Sequence, residues 1–481
     1  MTIIGRIKEQ KVLTKLYHSK EAEFVALYGR RRIGKTYLIR EFFEQETNWF
    51  VHVTGIHKGK ILTQITQLME ALSKTFFDDI PLETPSSWDE AFKLLHQQLI
   101  KHNDQKVVIF LDELPWLATR KSDLLQVIDH YWNQYWTSLK NVILIVCGSS
   151  ASWLIKNIIY NQGGLHNRVT CEMQLRPFNL IETQDFLKYR EVSLNNRHVL
   201  SLYMALGGVP YYLKYVERGL TAEQNIQHIL FDKDAPLKEE FSKLFKSLFE
   251  KSEIYIELVT LLAKTKSGLT RAEIEEKTKF SSNGGRLSER LRDLCAAGFI
   301  EEHIAWQKKT GEYYKLVDEF SLFYLQWLGL QKNKHFTKDH WLNQSNSPAY
   351  KSWSGCAFES LCMKHIDQII KGLNIDAGGS VDSWRFIPRK HLESGAQIDL
   401  LINRNDNAIS LCEIKYTNTP FSIDKQYFNN LKNKIEIFKE KTKTNKQIFV
   451  ELISASGIKK NNYSKELVSN IITLDDLFKE I

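Results

Sequence analysis

The sequence predicts an α/β fold, with a parallel sheet first and smaller domains after it. Three observations predict it. Short uninterrupted apolar runs, Phe24–Tyr28, Val107–Leu111 and Val142–Cys147, suit strands buried on both faces. These runs end in glycine, carboxylate or hydroxyl residues, where open α/β sheets place their ligands. Stretches of helical periodicity separate the runs, and 481 residues exceed what one core organises, which implies roughly two to four domains.

Composition narrows the class. The 43% hydrophobic and 25% charged residues are those of an ordinary globular protein. A net charge of +8 permits nucleic-acid binding without demanding it. The six cysteines are scattered with no CxxC pair, which argues against a structural zinc site. No apolar run reaches membrane-spanning length and the N-terminus lacks an apolar signal region, so no membrane association and a cytoplasmic location are expected.

Ile3-Ile4-Gly5-Arg6 leads into an amphipathic helix carrying Glu9, Val12, Leu13 and Leu16. The first strand then runs into Gly29-Arg30-Arg31-Arg32-Ile33-Gly34-Lys35-Thr36, the GxxxxGK[ST] phosphate-loop pattern, with a helix beginning at Thr36. Such a loop turns successive N–H groups toward phosphate oxygens, helped by the helix N-terminus. Lys35 would reach the β- and γ-phosphates of ATP, and Thr36 would hold Mg2+. Residues 49–55 read as the next strand, and helices are expected over 58–77 and 88–103. Ser87 and Glu90 have capping-box spacing.

The run from Lys106 ends in Asp112-Glu113. Asp112 would contact Mg2+ through water, and Glu113 would orient the attacking water. The run from Asn141 ends in Gly148-Ser149-Ser150, placing Ser149 as a polar sensor of the γ-phosphate or as a helix cap. Arg168 precedes a strand over 169–175 and would neutralise phosphate charge in cis or from a neighbouring subunit, unless it is plain surface.

These residues resemble the archaeal-type ATPases of the P-loop class, relatives of the AAA+ and STAND groups. The resemblance rests on Gly5-Arg6-x-x-Glu9, Gly29 to Thr36, Leu111-Asp112-Glu113-x-x-Trp116, Cys147 to Ser150, Arg168, Leu175-x-Pro177-Phe178 and Gly207-Gly208-Val209-Pro210-x-Tyr212-Leu213. It covers about residues 1–330 and implies a five-stranded parallel sheet with a helical lid, the core and lid occupying 1–220. It also implies that Pro210 reaches the nucleotide base.

Residues 221–335 read as a winged helix–turn–helix. Thr270 and Glu273 form a capping box, Leu287, Leu291 and Leu294 share a helix face, and Gly298 ends that helix. Two strand-like runs flank Lys308-Lys309-Thr310-Gly311 as a wing. Arg286, Arg290 and Arg292 would meet DNA phosphates, or the unit would pack on the ATPase and relay its nucleotide state.

Residues 340–481 have a different character. A helix carrying Glu359 precedes Gln397-Ile398-Asp399-Leu400-Leu401-Ile402, a polar turn over 403–407, and a return strand ending Glu413-Ile414-Lys415. Pairing Ile402 with Ala408 would set Asp399 opposite Leu411, with Asp399, Glu413 and Lys415 on one face. Two carboxylates there would hold Mg2+, and Lys415 would position water or stabilise charge in phosphodiester cleavage. The spacing resembles the PD-(D/E)xK restriction-endonuclease-like superfamily over roughly 353–455, with Glu359 completing the site and Ile398 standing in place of the motif's proline. The lysines between 425 and 446 would track a phosphate backbone or face solvent.

The sequence reading is therefore an ATPase coupled to a winged helix and a Mg2+-dependent nuclease-like domain acting on DNA. The alternatives are a non-cleaving ATP-regulated DNA-binding switch and a STAND-like sensor; homo-oligomerisation belongs to the latter.

Overall fold

The computed structural model describes residues 2–119, 122–160, 163–265, 268–278, 284–304, 306, 312–329, 336–375, 378–386 and 395–480. The first apolar runs form strands β1 (Glu23–Tyr28), β2 (Phe50–Thr54), β3 (Val107–Asp112), β4 (Val142–Gly148) and β5 (Cys171–Gln174). They make one parallel sheet of order β2-β3-β4-β1-β5. Strand alternation explains why the runs are apolar throughout: Phe24, Ile109 and Leu144 enter the core on one face, while Val25, Phe110 and Ile145 enter the core on the other. The helices Ile61–Phe76 and Trp88–Lys101 fall where their periodicity predicts. Ser87 caps the second, accepting from Glu90 N at 3.3 Å. The Glu90 carboxylate turns instead to Ser86 N, so the expected box is only half formed.

Helices Leu180–Tyr189 and Asn196–Leu206 follow the parallel sheet. Next comes a small antiparallel sheet of order β6-β8-β7, from β6 (Leu269–Thr270), β7 (Ile300–Ile304) and β8 (Glu312–Leu316). Thr270 and Glu273 form the full capping box of helix Arg271–Lys277. The helix Gly284–Ala296 buries Leu287, Leu291 and Leu294 and packs against Ala151–Leu154 of the first unit. The expected wing residues Lys308 and Lys309 lie outside the described residues.

The last sheet has order β13-β12-β11-β10-β9, from β9 (Gly379–Phe386), β10 (Ala396–Arg404), β11 (Ala408–Lys415), β12 (Gln447–Ser454) and β13 (Asn470–Thr473). β9, β10 and β11 are antiparallel; β11, β12 and β13 are parallel. Helix Pro348–Lys364 covers one face, and Lys425–Thr442 packs against β10 on the other.

The observed β10–β11 register differs from the expected one by two residues: Ile402 faces Ser410 and Leu400 faces Cys412. The turn is shorter than predicted, spanning only 405–407 between the strands. Asn407 closes it at φ 61°, a left-handed position that asparagine tolerates. An even shift preserves the side-chain face and carries Asp399 from opposite Leu411 to opposite Glu413.

One apolar core runs from Phe178 and Leu206 through Phe245, Phe320 and Trp341 to Phe358, Cys412 and Phe478. It crosses both positions, 220 and 340, at which the sequence reading divides the chain. Polar ties reinforce the seam. Arg197 Nη1 donates to Thr417 O at 2.9 Å and its guanidinium lies 4.2 Å from the Tyr416 ring centre. The buried His365 accepts from Leu180 N at 3.0 Å and thereby caps helix Leu180–Tyr189. No helix among the described residues is long and apolar enough to cross a membrane.

Candidate functional site

The phosphate loop sits at the C-terminal end of β1. Gly29 has φ 145°, and a Cβ there would stand 2.2 Å from Leu175 O, so only glycine fits. Gly34, at φ 90°, opens the helix Lys35–Glu46. Lys35 is buried, and its Nζ donates to the carbonyls of Gly29 (2.9 Å) and Arg30 (3.0 Å). Thr36 Oγ1 donates to Asp112 Oδ2 at 2.7 Å. These are hard oxygen donors on facing elements, and they fit Mg2+ that keeps its other positions for water and phosphate.

His52, which sequence reasoning missed, lies on β2 two residues before Thr54, the strand partner of Asp112. Its Nε2 lies 3.9 Å from Asp112 Oδ2 and its ring stacks on Phe110 at 4.9 Å. Burial raises the Asp112 carboxyl, but the nearby His52 ring and the hydrogen bond from Thr36 outweigh it and hold the group below the ordinary aspartate value. Glu113 has left-handed backbone, φ 49°, and its Oε2 accepts from Ser149 N (3.1 Å) and Ser149 Oγ (3.0 Å). The two residues expected to orient water and to sense phosphate are thus joined to each other.

The three loop arginines do not act alike. All three were expected to bind nucleotide. The Arg30 side chain is buried against Asp318 and donates to Tyr212 Oη at 3.3 Å. Arg32 pairs with Glu240 and lies 4.3 Å from the Tyr211 ring centre. Both side chains point into the unit that follows the sheet, which leaves their backbone N–H groups to the loop. Carboxylates so far along the chain carry no local signal in the loop's sequence. Arg31 lies over Trp116 at 5.9 Å. Ile33 is buried under the loop, and Arg6 Nη2 donates to its carbonyl at 3.2 Å. Pro210 begins the short helix whose Tyr211 and Tyr212 meet Arg32 and Arg30.

Arg168 corrects one expectation. It is exposed and lies with Lys20, Lys140 and Thr170 at the end of the sheet where β1 and β4 begin. The phosphate loop is at the opposite end, so Arg168 does not serve the site of its own chain.

A cleft of 710 Å³ adjoins the loop at Gly29 and Arg30. Arg6, Glu182, Asp318 and Lys364 are among the charged residues that line it.

The second cluster lies on β10 and β11. β10 carries a bulge against β9 between Ile398 and Leu401, so Asp399 sits at a local irregularity of the kind that re-aims side chains. Asp399 Oδ2 accepts from Ile414 N at 3.3 Å. Burial, then Glu413 and Glu359, push its carboxyl up to about 7. Glu413 is buried and accepts from Lys415 (2.8 Å), Lys434 (3.0 Å) and Tyr427. Burial raises the Glu413 carboxyl too, but Lys415 and Lys434 outweigh that and keep it below the ordinary value. Tyr427 and Lys434 stand two turns apart on one helix face, the only sequence signal for their partnership.

Among the described residues no group of three or more His, Cys, Asp and Glu side chains is placed to hold a metal. Asp399 and Glu413 are close enough for their charges to repel, which helps raise the Asp399 carboxyl.

Residues 4–216 match the family model described as an ATPase domain predominantly from Archaea. An uncharacterized protein of Methanocaldococcus jannaschii is 22% identical over 452 residues, 90% of this chain and 92% of that protein. An uncharacterized ATP-binding protein of the same organism is 40% identical over 43 residues, 9% of this chain and 73% of that protein. Among solved structures, a Walker-type ATPase of Pyrococcus abyssi superimposes with a TM-score of 0.47 at 16% identity, over 67% of this chain and 96% of that one. The ORC2 protein of Aeropyrum pernix does so with a TM-score of 0.41 at 12% identity, over 66% and 93%.

Proposed function

We propose, from the premise that residues 4–216 belong to the ATPase domains found predominantly in Archaea, that this chain hydrolyses ATP to govern a nuclease-like module acting on DNA. The observation that carries the ATPase reading is the joining of Thr36 to Asp112 beside Lys35. The loop N–H groups and Lys35 bind the phosphates, and Glu113 holds the attacking water once Ser149 releases it. Mg2+, when bound near Thr36 and Asp112, supplies neutralising charge to the phosphates. Arg168 serves only a neighbouring copy, if copies associate.

The nuclease reading rests on Asp399 facing Glu413, with Lys415 one residue beyond Ile414. The lysines of helix Lys425–Thr442 offer the adjoining phosphate contacts. The unit containing β6, β7 and β8 reads as a winged helix, and Arg286 and Arg292 are exposed on it. Its helix Gly284–Ala296 packs on the ATPase, which supports a relay role.

Linear DNA incubated with ATP and Mg2+ or Mn2+ tests the proposal. Cutting by the native chain and loss of cutting in Glu413→Ala are expected. Equal residual cutting in both would refute the acidic cluster as its source. A second reading, a non-cleaving ATP-regulated switch, is favoured by the three partners already engaging Glu413; nucleotide-dependent DNA binding without cleavage would establish it.

A further inference from the structure

We infer that the ion pair between the buried Glu319 and Lys364 couples the phosphate loop to the helix that carries Glu359, making Lys364 a positioning residue for the acidic cluster. The inference rests on the proposed nucleotide site, and its outcome at the cluster rests on the nuclease reading.

The path begins at Lys35. Its ammonium holds the Gly29 and Arg30 carbonyls, and a triphosphate would compete for that same ammonium. Nucleotide binding therefore acts on the backbone of Arg30. The Leu175 carbonyl packed against Gly29 leaves the loop no slack on that side. The Arg30 side chain is buried on Asp318.

Asp318 has a second task. Its Oδ2 accepts from Ser321 N (2.9 Å) and Ser321 Oγ (2.5 Å), so it caps the helix Glu319–Phe323. Moving Arg30 moves that cap. The next residue, Glu319, is buried and meets Lys364 Nζ at 2.7 Å. Lys364 ends the helix Pro348–Lys364, and Glu359 lies about a turn and a half back along it. Phe358 and Leu361 lock this helix into the shared core, and His365 ties its end to Leu180. It therefore transmits displacement as a strut. Glu359, on this last stretch of the helix, is close enough to Asp399 to raise that carboxyl.

A purely structural ion pair would stabilise the seam and leave it indifferent to nucleotide. Hydrogen–deuterium exchange on the full chain separates the two. With ATPγS and Mg2+, exchange in the peptide covering 348–364 should change at least threefold. Glu319→Gln and Lys364→Met should bind ATPγS within twofold of the native chain, yet lose that change. Where a single variant fails to fold because one buried charge is left alone, the double variant removes both charges and carries the test. A retained response in the variants, or a native chain that binds ATPγS with no change over 348–364, would overturn the coupling. A native chain that does not bind ATPγS would overturn the nucleotide site and the coupling with it. DNA cleavage, assayed separately, should lose its nucleotide dependence in the variants; absence of any cutting in the native chain counts against the nuclease reading alone, because the exchange experiment does not use it.

Discussion

Lys35 is buried and answers to two carbonyls of its own loop. Lys35 supplies a buried positive charge inside the loop, so Lys35→Ala should abolish ATP turnover, read as phosphate release. Unchanged hydrolysis would remove the loop from the mechanism. Ser149→Ala keeps the backbone donor to Glu113 and deletes the hydroxyl. The expected result is a fall in kcat of about tenfold with nucleotide affinity within about threefold, the pattern of an interaction used after binding. His365 gives a pH prediction. Burial lowers its pKa to about 4, and the unprotonated Nε2 accepts from Leu180 N. The unfolded histidine titrates near 6.5. Between about pH 4 and 6.5 the unfolded chain binds the extra proton. The contribution is thus complete above 6.5 and is lost as pH falls, by about 1.4 kcal/mol per pH unit. Denaturant unfolding of the native chain and His365→Gln across this window should show a steeper acid loss in the native chain; parallel slopes would remove His365 as the cause.

At the level of elements, the β10–β11 hairpin decides whether the acidic cluster exists. Its register depends on a short turn closed by Asn407 at φ 61°. A β-branched side chain is strained there, so Asn407→Val should destabilise the fold by about 1–2 kcal/mol, whereas Asn407→Gly should be tolerated. Chemical denaturation of both variants provides the measurement, and equal midpoints would show that the turn does not set the register. The parallel sheet was more legible. Its strands announce themselves by unbroken apolar runs, and the residues that end them, Gly29, Asp112 and Ser149, stand at one edge because every strand points the same way. The hairpin was legible as a hairpin but not in its register. Period-two alternation fixes which face a residue takes and leaves a shift of two residues free, and the turn geometry makes that choice.

Across the whole molecule, the core that joins Phe178 to Phe478 makes the helices Leu180–Tyr189 and Asn196–Leu206, the β6–β8 unit and the last sheet interdependent. A fragment ending at residue 336 would lose Trp341, Phe358 and Leu361 and expose the apolar surfaces they cover. It should aggregate or bind a hydrophobic dye on size-exclusion chromatography. A monodisperse fragment with a cooperative melt would contradict the shared core. Arg168 illustrates the same scale from the other side. Its sequence position beside a strand suggested a role at the phosphates, but strand polarity puts the start of β5 far from the end of β1.

The sequence by itself determined the phosphate loop, the carboxylates that face it and the spacing of Asp399 to Glu413 and Lys415, because each is a local pattern written in adjacent residues or in strand alternation. Only the tertiary structure decided what Arg30 and Arg32 do, how Ser149 meets Glu113, and that Glu319 reaches Lys364. These are pairings between residues far apart in the chain, made specific by burial, and a charge in a sequence does not say which distant partner will share its place out of water.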